Sequence, residues 1–178
     1  MEERYVMDTN VLIAASAADP LAKGLGDTTP SEPEYQEKVL RWLQAFEQSP
    51  ARMVVNFHKE HGIDAEYHGC LNGSHYGMQV YEWKLTQSLF DNVDLSFDAH
   101  GHAHLPAGWE VTIHDRADRK MVAAGFAARD EHGSCAIAFA SDTDWHAWQE
   151  ALERAGLCIE PVIPEWSEPR FRAKQKPS

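Results

Sequence analysis

The segment 135–142 reads Cys-Ala-Ile-Ala-Phe-Ala-Ser-Asp, an apolar run followed by a carboxylate. Such a run is typical of a central strand in a parallel sheet, where helices cover both faces. The segment 5–8, Tyr-Val-Met-Asp, is similar, and the apolar residues 11–15 predict a sharp turn from this strand into a helix. Ligand sites of parallel α/β sheets lie at the carboxyl ends of the strands. Asp8 and Asp142 are therefore expected at one edge of the sheet.

The rest of the chain alternates strand patterns with helix patterns. A polar cap, an early proline and acidic residues start a helix at 31–34, and apolar residues recur at helical spacing through Phe46. Further helices are predicted at 63–71, 78–90, 116–128 and 144–155, further strands at 53–55, 93–97 and near Val162, and loops at 17–33 and 98–109. This order predicts an α/β fold, a three-layer α-β-α domain around a mostly parallel central sheet. The domain is predicted to span 1–166, with a flexible basic tail at 167–178.

Composition restricts the class of protein. A chain of 178 residues fits one domain and can fold without disulfides or a structural metal. Its three cysteines form no C-x-x-C pair, which favours a reducing compartment. The sequence has no apolar run of membrane-spanning length, and Met1 leads directly into a strand, so neither a membrane span nor a signal peptide is predicted. We therefore expect a cytoplasmic protein.

The net charge of −12 bears on what the protein binds. Proteins that hold duplex nucleic acid over a wide surface are usually basic, because they neutralise many phosphates. Broad non-specific duplex binding is therefore not expected. The charge does not exclude a nuclease, because bound divalent cations invert the potential of an acidic site.

Five carboxylates from four segments are expected to gather at the carboxyl edge of the sheet: Asp8, Glu66, Asp118, Asp142 and Asp144. Mutual repulsion raises carboxylate pKa values unless a cation lies between the groups, and Mg²⁺ or Mn²⁺ prefers such oxygen ligands. A metal site of this kind can activate water and stabilise charge on a phosphoryl group. Alternatively, each acid is structural, since acidic residues favour turns and helix starts in any protein.

Four blocks of the chain resemble the PIN-domain nucleases in order and spacing. They are residues 5–12, which contain Asp-Thr-Asn; 63–67, which contain an acidic Glu; 118–124, led by Asp; and 140–145, which contain Asp-Thr-Asp. The resemblance spans residues 4–163. It implies a Rossmann-like PIN fold and Mg²⁺- or Mn²⁺-dependent cleavage of phosphodiester bonds, usually in single-stranded or structured RNA.

The resemblance also implies roles for individual residues. The metal ligands would be Asp8, Glu66, Asp118 and Asp142, with Asp144 as a further ligand or supporting acid. Asn10 would orient the carboxylates by hydrogen bonding, with Thr9 as a further helper, and Asp115 competes with Asp118 for the third acidic position. The loop 17–33, the chain after Trp166 and the histidine-rich segment 98–114 depart from the family pattern.

Other features leave alternatives open. His100, His102 and His104 bind a transition metal or belong to a solvated loop, and the loop is favoured. Trp83, Trp145 and Trp148 stack on unpaired bases or pack in the core. The basic tail, with Arg170, Arg172, Lys174 and Lys176, contacts phosphate or an acidic partner, or serves only solubility. Cys70, Cys135 and Cys158 are expected to be buried structural thiols.

The leading hypothesis is an endoribonuclease, the toxin of a toxin–antitoxin pair. Its expected partners are an RNA substrate, an antitoxin protein and, in a homodimer, a second copy of the chain. One alternative is a structure-specific DNA nuclease, which the acidic charge disfavours. Another is a PIN-like binding or scaffold domain without activity. Such a domain would be marked by lost acids, and the sequence keeps all of them.

Overall fold

A computed structural model describes residues 1–19 and 24–175. Its strands are β1 (Arg4–Met7), β2 (Arg52–Val55), β3 (Phe90–Asn92), β4 (Ala136–Phe139) and β5 (Cys158–Pro161). Its helices are α1 (Thr9–Ala17), α2 (Pro33–Gln48), α3 (Ile63–Cys70), α4 (Tyr76–Thr86), α5 (Trp109–Thr112), α6 (Arg119–His132), α7 (Asp144–Arg154) and α8 (Pro164–Lys174).

The five strands form one parallel sheet in the order β3-β2-β1-β4-β5. Because βαβ crossovers are right-handed, the reversal of strand order after β3 places α1–α4 on one face and α6 and α7 on the other. The contacts agree, since α1 packs against α2 and α4, whereas α6 packs over β1, β2 and β4. The predicted three-layer α/β architecture is confirmed, and the order reverses between β1 and β4. The crevice beside such a reversal is where parallel α/β sheets bind ligands.

The two central strands are as buried as their composition predicts. Residues 5–7 and 136–139 have no exposed surface. The helix that follows β1 is fixed closely against α4, because Gly77 lies where a Cβ atom would be 2.5 Å from the Leu12 carbonyl oxygen. The Gly77 amide also donates to Ser16 Oγ at 2.8 Å. Any larger residue at position 77 would push α4 away from α1 and disturb the start of α1 at the carboxyl edge.

The predicted strand at 93–97 is wrong. The edge strand is instead Phe90–Asn92, which pairs with Met53–Val55, so the helix predicted at 78–90 ends at Thr86. Val93 is buried because it follows the strand end and its amide donates to the Val55 carbonyl. Because Val93 is buried for this other reason, residues 93–97 show the apolar–polar alternation of a strand although they do not form one. The helix predicted from Arg116 starts later, at Arg119, and the short helix α5 was not predicted.

The basic tail also differs from its prediction. Residues 167–174 continue α8, whose Trp166 is buried and whose Arg170 and Glu165 form ion pairs with Glu32 and Lys38 of the α2 region. Lys176 lies outside the described residues, as do residues 20–23 of the predicted loop 17–33. Within the described ranges, no helix has both the length and the apolar character that a membrane crossing requires.

Candidate metal centre

Asp8 lies where β1 turns into α1, as its N-cap residue. One carboxylate oxygen accepts from the backbone amide of Asn10 at 2.7 Å, and the other accepts from Trp145 Nε1 at 2.7 Å. The residue is only 4% exposed. Burial raises the pKa of Asp8 to about 6, although both hydrogen bonds favour the ionised form. Asp8 is therefore a buried carboxyl group held in one orientation.

Asp142 and Asp118 also lie at the beginnings of helices. Asp142 follows β4 and precedes the Thr143 N-cap of α7, and its Oδ1 accepts from the Asp144 amide at 2.8 Å. Asp118 is the N-cap residue of α6. Each of the three carboxyl groups thus belongs to a residue at or next to a helix N-terminus, where the partial positive charge of the helix favours a negative group.

The three groups form a cluster, here called the Asp triad (Asp8, Asp118 and Asp142). Each offers a carboxylate oxygen, and these oxygens lie within 4.8 Å of one another. Burial, followed by the charges of Asp8 and Asp142, raises the pKa of Asp118 to about 8, and burial also raises the pKa of Asp142. Asp118 Oδ2 is buried and has no hydrogen-bond partner. Within the described residues, no member of the triad has an ion-pair partner within 4.0 Å.

The donor set fits a hard divalent cation. Three carboxylates are typical ligands for Mg²⁺ and Mn²⁺, whereas softer metals prefer thiolates and imidazoles. Oxygens bound to one Mg²⁺ at about 2.1 Å lie up to about 4.2 Å apart, so small side-chain rotations would suffice. A cation would also satisfy the orphaned oxygen of Asp118. The geometry of the triad thus matches what an oxygen-bound metal requires.

Glu66 lies beside the triad rather than in it. Its Oε1 accepts from the Thr9 hydroxyl, and its Oε2 pairs with Lys120 Nζ at 2.8 Å. Its charge still contributes to the raised pKa values of Asp8 and Asp118, so it is nearby. Of the residues expected as ligands, Glu66 already has a cationic partner from the protein.

Three other residues considered for the site, Asp144, Asn10 and Asp115, are not members of the triad. Asp144 lies next to the triad, 3.7 Å from Lys174 Nζ and 3.9 Å from His114 Nε2. Asn10 contacts Asp8 through its backbone amide, whereas the prediction invoked hydrogen bonding without specifying the atom. Asp115 accepts from the Ala117 amide in an exposed turn, and the triad contains Asp118 instead.

Two residues that position this site were not predicted to do so. Trp145 donates to Asp8, and Lys120 neutralises Glu66. Trp145 and Trp148 are both buried, so the core interpretation holds for them, whereas Trp83 is 38% exposed. The adjacency of Trp145 to the Asp-Thr-Asp block was the only signal in the sequence for its role.

The histidine-rich segment does not bring three potential metal ligands together in this structure. Among the described residues, the Asp triad is the only group of three His, Cys, Asp or Glu side chains with metal-ligand spacing. His102 Nδ1 instead lies 3.3 Å from Asp98 Oδ2, in keeping with the favoured loop interpretation. The prediction of three buried cysteines is confirmed only for Cys135, since Cys70 is exposed and Cys158 is half-buried.

Comparisons with known proteins provide no independent identification. The chain matches no family model, no curated protein and no solved structure. A functional hypothesis therefore has to rest on the geometry of the site and on the four sequence blocks.

Proposed function

We propose that the chain is a Mg²⁺- or Mn²⁺-dependent endoribonuclease that hydrolyses phosphodiester bonds of single-stranded RNA. The observation that carries this proposal is the Asp triad, in which one buried oxygen of Asp118 lacks any partner. Asp8 and Asp142 accept hydrogen bonds from the protein, but none of the three acids has a cationic partner among the described residues. A purely structural role would also have supplied the buried oxygen of Asp118 with a donor. The four blocks that resemble PIN-domain nucleases add support for the choice of reaction.

A bound divalent cation would supply Lewis-acid stabilisation of the phosphoryl group and a lowered pKa for a nearby water. The residues of the chain would prepare for it in three ways. Asp8, Asp118 and Asp142 would hold the cation, and Asp118 would lose its proton on binding, because only the ionised group is a good ligand. The Asn10 amide and the Trp145 indole fix the orientation of Asp8. Lys120 and Thr9 keep Glu66 beside the centre as an acceptor for a water proton.

The choice of a single strand rests on the charge of the protein, and the choice of RNA rests on the resemblance to PIN-domain nucleases. A protein with a net charge of −12 has few phosphate contacts to offer outside its site. The slope of log K against log salt follows the number of counterions released, so we expect a shallow salt dependence of binding. A duplex would bring more phosphates that the protein does not neutralise to this surface than a single strand would.

The test is cleavage of labelled single-stranded RNA, duplex RNA and flapped DNA by wild type, Asp118→Asn and Asp94→Asn. Asp94 is an exposed acid outside the triad and serves as the matched control. We expect Mn²⁺-dependent RNA cleavage by wild type and Asp94→Asn, and a loss of more than about a hundredfold in Asp118→Asn. No cleavage in Mn²⁺ or Mg²⁺ by any preparation would overturn the proposal and favour a scaffold. Preferential cleavage of flapped DNA would favour the DNA nuclease.

The antitoxin and the second copy of the chain stay predictions. A protein inhibitor of a carboxylate metal centre can present a cation to the carboxylates, coordinate the metal or cover the site. Co-purification of a small partner with the wild-type chain, followed by loss of RNA cleavage in the complex, would support the toxin role. An unpartnered chain that cleaves RNA would support the nuclease without that role.

A further inference from the structure

A groove of about 590 Å³ lies beside the metal centre, between α8 and the turn after β4. We call it the α8 groove. One wall contains Asp142 and Thr143, and the other contains Trp166, Arg170 and Lys174. Ligand sites in proteins have volumes of about 300–1,000 Å³, so the groove can hold part of a substrate. Because Asp142 belongs to the triad, a molecule bound at the metal centre can extend into the groove.

Two cations of α8 line the groove. Arg170 and Lys174 are four residues apart, so they lie on the same face of the helix. The Arg170 guanidinium lies 3.9 Å from the Trp166 ring centroid, and it donates to Glu32 at 2.7 Å and to the Trp166 carbonyl at 3.2 Å. These bonds use two of its five N–H donors and hold the fork in place. Lys174 Nζ donates to Thr143 Oγ1 at 2.6 Å.

These cations stand out against the charge of the rest of the chain. Lys120, which also lies near the triad, is paired with Glu66 at 2.8 Å. Arg170 is paired with Glu32, and Lys174 Nζ lies 3.7 Å from Asp144 Oδ1, but their side chains remain 45% and 64% exposed and can reach a ligand in the groove. Arginine presents N–H donors in a geometry that matches phosphate oxygens, and lysine acts as a mobile point charge. The groove thus places two solvent-accessible cations next to the acidic centre, each shared with one carboxylate of the protein.

We propose that the α8 groove binds the phosphate adjacent to the scissile one, so that the substrate strand runs from the metal centre along α8. This inference rests on the proposed function. Trp166 is only 5% exposed and lies under Arg170, so it supports the guanidinium and cannot stack on a base. The groove therefore recognises backbone charge, and it adds affinity without sequence preference.

The test measures binding separately from cleavage. Anisotropy of a fluorescein-labelled uridylate dodecamer is followed in Ca²⁺ for wild type, Arg170→Gln, Lys174→Gln and the double variant. The matched control is Arg172→Gln, which removes the same charge from the same helix but from a side chain paired with Glu168 outside the groove. We expect the double variant to bind about tenfold more weakly, with a salt slope smaller by about 0.7, because the variant loses the contact with one phosphate and each such contact contributes about 0.7. The control should match wild type.

A second readout separates a phosphate subsite from general charge. A trinucleotide with two phosphates should compete for the wild type better than a dinucleotide with one, and the double variant should lose this difference. Folding of each variant is checked by thermal melting, and Lys174→Gln keeps the Arg170–Glu32 contact if the double variant is unstable. Equal binding by wild type and the double variant, or equal weakening by Arg172→Gln, would overturn the subsite. If the wild type binds RNA through these residues yet cleaves nothing in Mn²⁺, phosphate binding by the α8 groove is supported and the proposed nuclease activity is overturned.

Discussion

The two ends of the sheet treat buried and half-buried carboxylates in opposite ways. Near the amino ends of β1 and β2, Asp91 accepts from Arg52 Nε at 2.8 Å and from Arg4 Nε at 3.0 Å. At the carboxyl edge, Asp8, Asp118 and Asp142 lie within 4.8 Å of one another, and none of them has an ion-pair partner among the described residues. The carboxylate of Asp91 is neutralised by two arginines of the protein, whereas the carboxylates of the triad have no cationic partner among the described residues. The comparison supports a structural role for Asp91 and the metal-binding role that we propose for the triad.

The largest effect on the free energy of unfolding is expected for a substitution of Asp91. Asp91→Asn removes the charge that compensates two partly buried guanidinium groups, so we expect it to lower the free energy of unfolding by about 2–3 kcal/mol. Urea denaturation of the metal-free protein measures this difference. An unchanged midpoint would show that the ion pairs of Asp91 are as weak as exposed ones.

The same change should have the opposite sign in the triad. Asp118→Asn removes a carboxyl group that burial and its neighbours disfavour in the ionised form, so we expect a gain of about 2 kcal/mol in EDTA. Urea denaturation of Asp118→Asn and Asp91→Asn under the same conditions compares the two changes in the free energy of unfolding directly. A loss of stability in both variants would remove the distinction between the two ends.

The dependence of stability on pH sharpens the comparison further. The pKa values of Asp118 and Asp8 are raised to about 8 and about 6, so the folded state binds protons that the unfolded state releases. The contribution of these groups to stability is therefore complete at low pH, below about 4, and is lost as the pH rises towards about 8. We expect the melting temperature of wild type in EDTA to fall over this range, and that of Asp118→Asn to fall less. Parallel curves would contradict the raised pKa of Asp118.

The smallest effect concerns the positioning of Asp8. Trp145→Phe removes the indole donor to Asp8, which we expect to cost about 1 kcal/mol and to weaken Mn²⁺ binding about tenfold. Trp148→Phe is the matched control, because Trp148 is equally buried but its Nε1 has no partner. Calorimetric Mn²⁺ titration of both variants checks this. Equal weakening by both would mean that ring packing, and not the hydrogen bond, positions the site.

The sequence predicted the fold where burial alone determines the structure. β1 and β4 are fully buried, so their apolar runs identified them, and the Asp residues that follow them were placed at the correct edge. The edge strand β3 reads Phe-Asp-Asn and has no such run, because its stability comes from pairing with β2. The helix α8 was not predicted, because the residues that it contacts, Glu32 and Lys38, lie more than a hundred positions away in the sequence.

The candidate site shows the same limit. Asp8 and Asp142 follow predicted strands, and Asp118 begins a predicted helix, so their meeting could be inferred from sheet geometry. The pairing of Glu66 with Lys120 depends on how α3 and α6 lie beside each other. No local pattern encodes that relation, and the sequence accordingly did not distinguish Glu66 from the triad.

The most direct test of the central claim is a calorimetric titration of Mn²⁺ into wild type, Asp118→Asn and Asp91→Asn. The account predicts binding by wild type and Asp91→Asn, and a loss of affinity of more than about a hundredfold in Asp118→Asn. At about 100 times its Kd, the metal should also stabilise the wild type by about 2.7 kcal/mol. Absence of binding to wild type, or equal binding to Asp118→Asn, would contradict the assignment of the triad as a metal centre.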